Sequence, residues 1–376
     1  MLILQRIFTV ATHRKFSPLQ SMDLAVQWVL ARQNKTMIEY FPSILHETFM
    51  TMRNCFMALV GAFLCACGQG GLSSGASQKV SEARERNDGP ALWVAKDYDS
   101  TVYLFGTVHL LPDTLSWLRE DVKAAFKAAG TVYFEVDTST SGQIQASVLT
   151  NSLGFRKDGL SLSSQLDSYQ HKLLEAAAHN GELSLAALNS MKPWLASEFL
   201  TIAAASNAGL SPELSADAAL KSRAESARKN VLYFETMEQQ IRLAADQPDF
   251  VQLKLLTETL EGFNTLGSDL KKIVSAWSVG QTDYLTREVV MKMKEASPDF
   301  YKALMSDRNR RWADVLTRYM EDSGTAFVAV GVGHLLGGDS LIEQLRERGY
   351  KVSRYYDFQG ENVIRPVEAT ITRPKP

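Results

Sequence analysis

Beyond Gly68 the chain has no cysteine: Cys55, Cys65 and Cys67 are the only three in 376 residues. The remainder therefore has no disulfide, no thiol nucleophile and no thiolate metal ligand, and only its core holds it together in any redox compartment. Also missing is a Lys/Arg block interleaved with aromatics. With 40 basic and 42 acidic residues the formal charge is -2, which gives nucleic-acid binding no electrostatic support. There is no solenoid-like period and, apart from one hydrophilic tract, no long low-complexity segment. The 45% hydrophobic and 22% charged content is ordinary for globular proteins and permits one large domain or two smaller ones.

Near the N-terminus, Met52-Arg53-Asn54 precedes an uninterrupted apolar run from Cys55 to Cys67. One positive charge followed by such a run is the layout of a secretory signal peptide, and the run falls short of the roughly 20 residues that span a bilayer. Its end, Leu64-Cys65-Ala66-Cys67, resembles a bacterial lipobox, in which Cys67 would be acylated and become the mature N-terminus. Residues 68–90 read as a flexible tether, and residues 1–51 as an upstream extension with translation starting at Met50 or Met52. A buried helix or a genuine N-terminal extension are the alternatives. The expected location is extracytoplasmic, lipid-anchored on the periplasmic face of a membrane, with Gly68 leaving outer-membrane sorting open.

Residues 91–357 read as one folded domain and residues 358–376 as a tail. Ala91 to Tyr98 and Thr101 to Gly106 form a predicted hairpin around Asp97-Tyr98-Asp99-Ser100. Leu115 to Ala129 has helical spacing, and Thr131 to Val136 reads as a buried strand ending near Glu135. From Ser141 to about Asp322 helical pattern dominates, broken at Gly181, Pro193, Gly209 to Pro212, Pro248, Gly280 and Pro298, with a brief strand leading to Glu235. Thr325 to Val330, Ser340 to Arg348 and Lys351 to Tyr356 repeat strand, helix, strand. The expected fold is α/β: a mixed sheet from N- and C-terminal βαβ units with a large helical insertion. At both ends a strand runs into a Gly-x-x-His turn, Gly106-Thr107-Val108-His109 and Gly331-Val332-Gly333-His334. Strand-to-helix turns of open α/β sheets are where ligands collect.

These segments, with Val132-Tyr133-Phe134-Glu135-Val136-Asp137, Phe234-Glu235-Thr236, Gln239-Gln240 and Arg308-Asn309, resemble the TraB/GumN family, which includes the Tiki proteins. The resemblance runs in order from about Leu92 to Asp357. It implies an α/β domain similar to erythromycin esterases and ChaN-like haem-binding proteins, and for Tiki members a metal-dependent protease. Carried over residue by residue, His109 and His334 match the two GxxH histidines, Glu135 and Glu235 the acidic positions, and Arg308 and Asn309 the Arg-Asn pair. Phe234 stands where leucine is common.

Two neutral imidazoles and a carboxylate can hold a divalent ion and leave a place for an activated water. His109, His334 and Glu135 fit that set, with Mn, Co or Zn as the candidate ion. Glu235 is then a general base or an orienter of histidine, and Arg308 with Asn309 completes the site, the arginine stabilising an oxyanion or holding a substrate carboxylate. A metal-free reading makes one histidine the base and a glutamate the group that fixes its tautomer. Bland readings stand beside these: Glu235 as a helix cap, Arg308 as a structural ion pair, His171 and His179 as surface or satisfied residues, and Trp117, Trp194, Trp277 and Trp312 as core. The function so read is an extracytoplasmic hydrolase, metal-dependent, of peptides or other carbonyl substrates. The alternative is a non-catalytic module capturing a peptide, a haem-like ligand or a metal in the same cleft.

Overall fold

The computed structural model describes residues 89–355; the leader, Cys67, nearly all of the tether and the C-terminal tail lie outside them. Six strands form one sheet: β1 (Leu92–Lys96), β2 (Ser100–Thr107), β3 (Thr131–Phe134), β4 (Asn230–Tyr233), β5 (Gly324–Gly331) and β6 (Lys351–Arg354), in the order β4-β3-β5-β2-β1-β6. β4, β3, β5 and β2 are mutually parallel, while β1 pairs antiparallel with β2 and with β6. The mixed α/β architecture matches the sequence reading. The β1–β2 hairpin turns where Asp97 Oδ1 accepts from Ser100 N at 2.8 Å and Ser100 Oγ at 2.7 Å.

The strand neighbours differ from the simplest reading of two separate βαβ units. β5 lies between β2 and β3, and β6 joins the far side of β1 instead of pairing with β5. Within β5 the run Ala326 to Val330 is all Ala, Val and Phe, a composition suited to burial on both faces in the middle of a parallel sheet. Placing β5 there puts His334 beside Glu135 and not at the end of a separate unit.

The helices that matter here are α1 (Glu120–Ala128), α2 (Thr140–Gly154), α3 (Ser168–Asn180), α4 (Pro193–Asn207), α5 (Ala216–Ser226), α6 (Met237–Ala245), α7 (Asp249–Ser278), α8 (Asp307–Tyr319) and α9 (Leu341–Glu347). Their limits follow the predicted breaks. Pro193 and Pro298 occupy first-turn positions, where a missing N–H costs nothing, and Pro248 caps α7. Gly181 caps α3, and Gly280 follows α7 with φ of 76°. α1 begins five residues later than its periodicity predicted, because Leu115 to Arg119 is not helical and Trp117 stacks on Phe105 at 5.6 Å. The acidic Glu120 and Asp121 then open the helix, as its dipole favours. α4 and α7 pack closely, and a Cβ on Gly267 would lie 2.6 Å from the Ala204 carbonyl oxygen. No helix of the described residues is long and apolar enough to cross a membrane.

Trp117, Trp194, Trp277 and Trp312 are all buried. Trp277 does more than fill space: its Nε1–H donates to the Gly106 carbonyl at 2.8 Å, tying α7 to the end of β2 just before His109. Replacing Trp277 by Phe keeps most of the packing and strands that carbonyl, so chemical denaturation is expected to show a loss of about 1–3 kcal/mol. Trp277→Ala is expected to lose about 3–5 kcal/mol.

Candidate functional site

In register, Thr107 of β2 lies opposite Gly331 of β5, and Phe134 of β3 lies opposite both Ala329 of β5 and Tyr233 of β4. Four parallel strands thus finish along one edge, and the residues just beyond them are the predicted ones: Glu235, Glu135, His334 and His109. The pairing of β3 with β4 continues past the strands, with Glu235 N donating to the Glu135 carbonyl at 2.9 Å. A sheet edge of this kind is where doubly wound folds bind ligands.

Arg308 lies at the centre of this edge and is wholly buried. Its Nε donates to both carboxylate oxygens of Glu235 at 3.0 Å, and Nη2 donates to Glu135 Oε2 at 2.7 Å. Nη1 donates to the Leu304 carbonyl at 3.1 Å and to His334 Nε2 at 3.0 Å. The π-helical turn Lys302–Ser306, which leads into α8, carries that carbonyl. Arg311 and Trp312 add further donors to Glu235 Oε1, at 3.3 and 3.2 Å. Glu235 does not cap α6; Thr236 and Gln239 form a capping box there, leaving the carboxylate to Arg308. The adjacent Gln240 reaches Glu135 Oε2 at 3.3 Å.

His334 is held on every side. Arginine only donates, so His334 Nε2 must accept, which leaves the proton on Nδ1 to be donated to Asn309 Oδ1 at 2.7 Å. Asn309 in turn donates to the Asp339 carbonyl at 2.8 Å. Trp312 packs against the imidazole at 4.4 Å and under the Arg308 guanidinium at 4.6 Å. Phe234 is half-buried beyond β4, not inside a buried strand, and stacks between Tyr133 and Trp312 at 5.1 and 5.0 Å. Burial and the adjacent Arg308 push the pKa of His334 down to about 3.

His109 is held differently. Its Nδ1–H donates to Asp217 Oδ2 at 2.8 Å, and Thr107 donates to Asp217 Oδ1 at 2.7 Å. Asp217 lies in the first turn of α5, behind the Ser215 cap, and Ala216 N donates to the Val108 carbonyl at 3.1 Å. One turn further along α5, Lys221 pairs with Asp137 at 2.9 Å, so this helix grips the ends of both β2 and β3. Burial works against charge on His109, but the Asp217 carboxylate, through its charge and hydrogen bond, holds the pKa up at about 9. Its Nε2 is buried and makes no hydrogen bond.

These groups meet at Gly331. A Cβ there would lie 3.3 Å from Glu135 Oε1, 3.4 Å from His109 Nε2 and 3.8 Å from His334 Cδ2. The Gly331 N–H donates to Glu135 Oε1 at 2.7 Å. Burial raises the Glu135 carboxyl, but Arg308, the two histidines and this N–H outweigh it, to about 2.

As arranged, the three expected ligands do not offer a divalent ion its donor set. His109 Nε2 is free, but the Nε2 lone pair of His334 and one oxygen of Glu135 face the Arg308 guanidinium. Among the described residues no group of three or more His, Cys, Asp and Glu side chains has metal-binding geometry.

The structure brings together all six residues predicted within the domain, in new relations. Glu235 touches Arg308 and not a histidine, and four of the five N–H groups of Arg308 (Nε, both on Nη1, one on Nη2) are engaged inside the protein. Asp217 escaped sequence reasoning. An aspartate after a serine cap reads as ordinary helix-start chemistry, and 108 residues separate it from His109. His171 and His179 lie in α3, away from the site, and His171 faces Glu175 at 3.8 Å.

Removing one member of a buried ion cluster is expected to cost about 3–5 kcal/mol. Denaturant unfolding of Glu235→Leu and of Arg308→Met should each show that loss. The double variant should lose clearly less than the sum, since Glu235→Leu takes away one of the two carboxylates that Arg308→Met leaves without their guanidinium.

Among curated proteins and solved structures nothing matches the chain. A family model does match, over residues 91–354, the span that contains every side chain of this edge. The chain therefore belongs to the TraB/PrgY/gumN family.

Proposed function

We propose that the chain is an extracytoplasmic hydrolase of carbonyl substrates, a peptide or another acyl compound, in which His109 takes a proton from the attacking water. One observation carries this reading: a largely buried imidazole whose Nδ1–H is fixed by a carboxylate and whose buried Nε2 has no partner within the protein. That is the pairing of a general base with the group that sets its tautomer. Asp217 keeps the lone pair of neutral His109 on Nε2 and steadies the imidazolium that forms when the proton arrives. Thr107 holds the other oxygen of Asp217. Glu135 holds the Gly331 backbone close to the imidazole, and Arg308 fixes the other oxygen of Glu135.

His109→Ala, assayed under conditions where it is folded, is expected to lower kcat by about 10²–10⁴-fold on fluorogenic peptides or activated esters. The base acts only when deprotonated and its pKa is about 9. Below that pH, kcat/KM should fall about tenfold per unit. Full turnover by His109→Ala would end the proposal, and ligand capture without turnover would identify a binding module instead.

The proposed location follows from the leader: Cys67 would carry the lipid that anchors the domain to a membrane. Mass spectrometry of the protein from native membranes should find an acylated N-terminal Cys67. An unmodified chain beginning at Met1 would refute this.

A further inference from the structure

We infer that the Arg308 guanidinium is the resident cation of this site, so that the wild-type protein takes no divalent ion through His109, His334 and Glu135, and a site for one opens only when Arg308 is removed.

Three observations support this. First, His334 has no lone pair to give: Nδ1 carries the proton donated to Asn309, and Nε2 accepts from Arg308 Nη1 at 3.0 Å. Second, the negative charge that would attract an ion is already paired inside the protein, with Arg308 touching Glu135 at 2.7 Å and Glu235 at 3.0 Å, and Arg311 reaching Glu235 at 3.3 Å. An added dication would sit against a fixed positive charge where solvent screens little. Third, the guanidinium is clamped. The Leu304 carbonyl from the π-helical turn holds Nη1, and Trp312 covers its face at 4.6 Å. To vacate its place Arg308 must break five hydrogen bonds, to Glu235 Oε1 and Oε2, Glu135, Leu304 and His334.

Removing the guanidinium reverses each point. His334 Nε2 and Glu135 Oε2 are released close to the free His109 Nε2, a set of two imidazoles and a carboxylate with positions left open. Such borderline nitrogen and oxygen donors suit Co²⁺ and Zn²⁺.

The test titrates Co²⁺ into tag-free, full-length wild type, Arg308→Met, and Arg308→Met with His334→Gln, following visible absorption and calorimetric heat. Arg308→Met should bind one equivalent, tighter than wild type by at least about 100-fold, with the second change returning it to the wild-type level. Two results would overturn the inference: one equivalent of Co²⁺ on wild type that His334→Gln abolishes, or a folded Arg308→Met with no gain. If Arg308→Met folds only when Co²⁺ is present, the gain is read from refolding. If it does not fold at all, the wild-type titration decides alone.

Discussion

A single buried guanidinium organises the polar edge of the sheet. Arg308 joins the ends of β3 and β4 through Glu135 and Glu235, reaches β5 through His334, and is fixed to its own helix through Leu304. Two carboxylates placed side by side in a buried position would repel and would carry a large desolvation cost. The cation between them makes the arrangement stable, and it makes each member depend on the others. The π-helical turn before α8 belongs to the same construction, because it carries the carbonyl that orients the guanidinium. π turns recur at functional sites for this sort of reason: they spend backbone regularity on the placement of one side chain.

Around this cluster the two Gly-x-x-His motifs differ in chemistry despite their equal spelling. His334 is neutral, its one N–H placed by Arg308, which can only donate, and by the Asn309 Oδ1, which can only accept. His109 faces a carboxylate and keeps one nitrogen free of any protein partner. The difference comes from where the partners lie. α8 brings an arginine and an asparagine to His334, and α5 brings an aspartate to His109. Gly331 lets the two halves meet, since its bare α-carbon leaves room for Glu135 and both imidazoles.

Much of the fold was legible in the sequence. Gly181, Pro193, Pro248, Gly280 and Pro298 mark helix limits because their backbone requirements are local, and the hairpin around Asp97 follows from turn chemistry. The late start of α1 was not legible: apolar spacing continues through Leu115 and Leu118, but Trp117 packs on Phe105 from a non-helical segment, a tertiary preference that periodicity does not carry. The site residues His109, Glu135, Glu235, Arg308, Asn309 and His334 stood out through their motifs. Asp217 did not, since nothing local separates it from any acidic first turn.

The sequence by itself determined the class of fold, most of the helical limits and the identity of the polar residues at the sheet edge, because local backbone chemistry and patterned burial act over a few residues. Only the tertiary structure decided their partners. Inserting β5 between β2 and β3 sets His334 beside Glu135, and α8 then places a fixed positive charge where the sequence allowed a metal ion. Protonation and ligand capacity depend on which groups stand within hydrogen-bonding distance, and those groups come from segments more than 100 residues apart, such as Arg308 with Glu135 and Asp217 with His109.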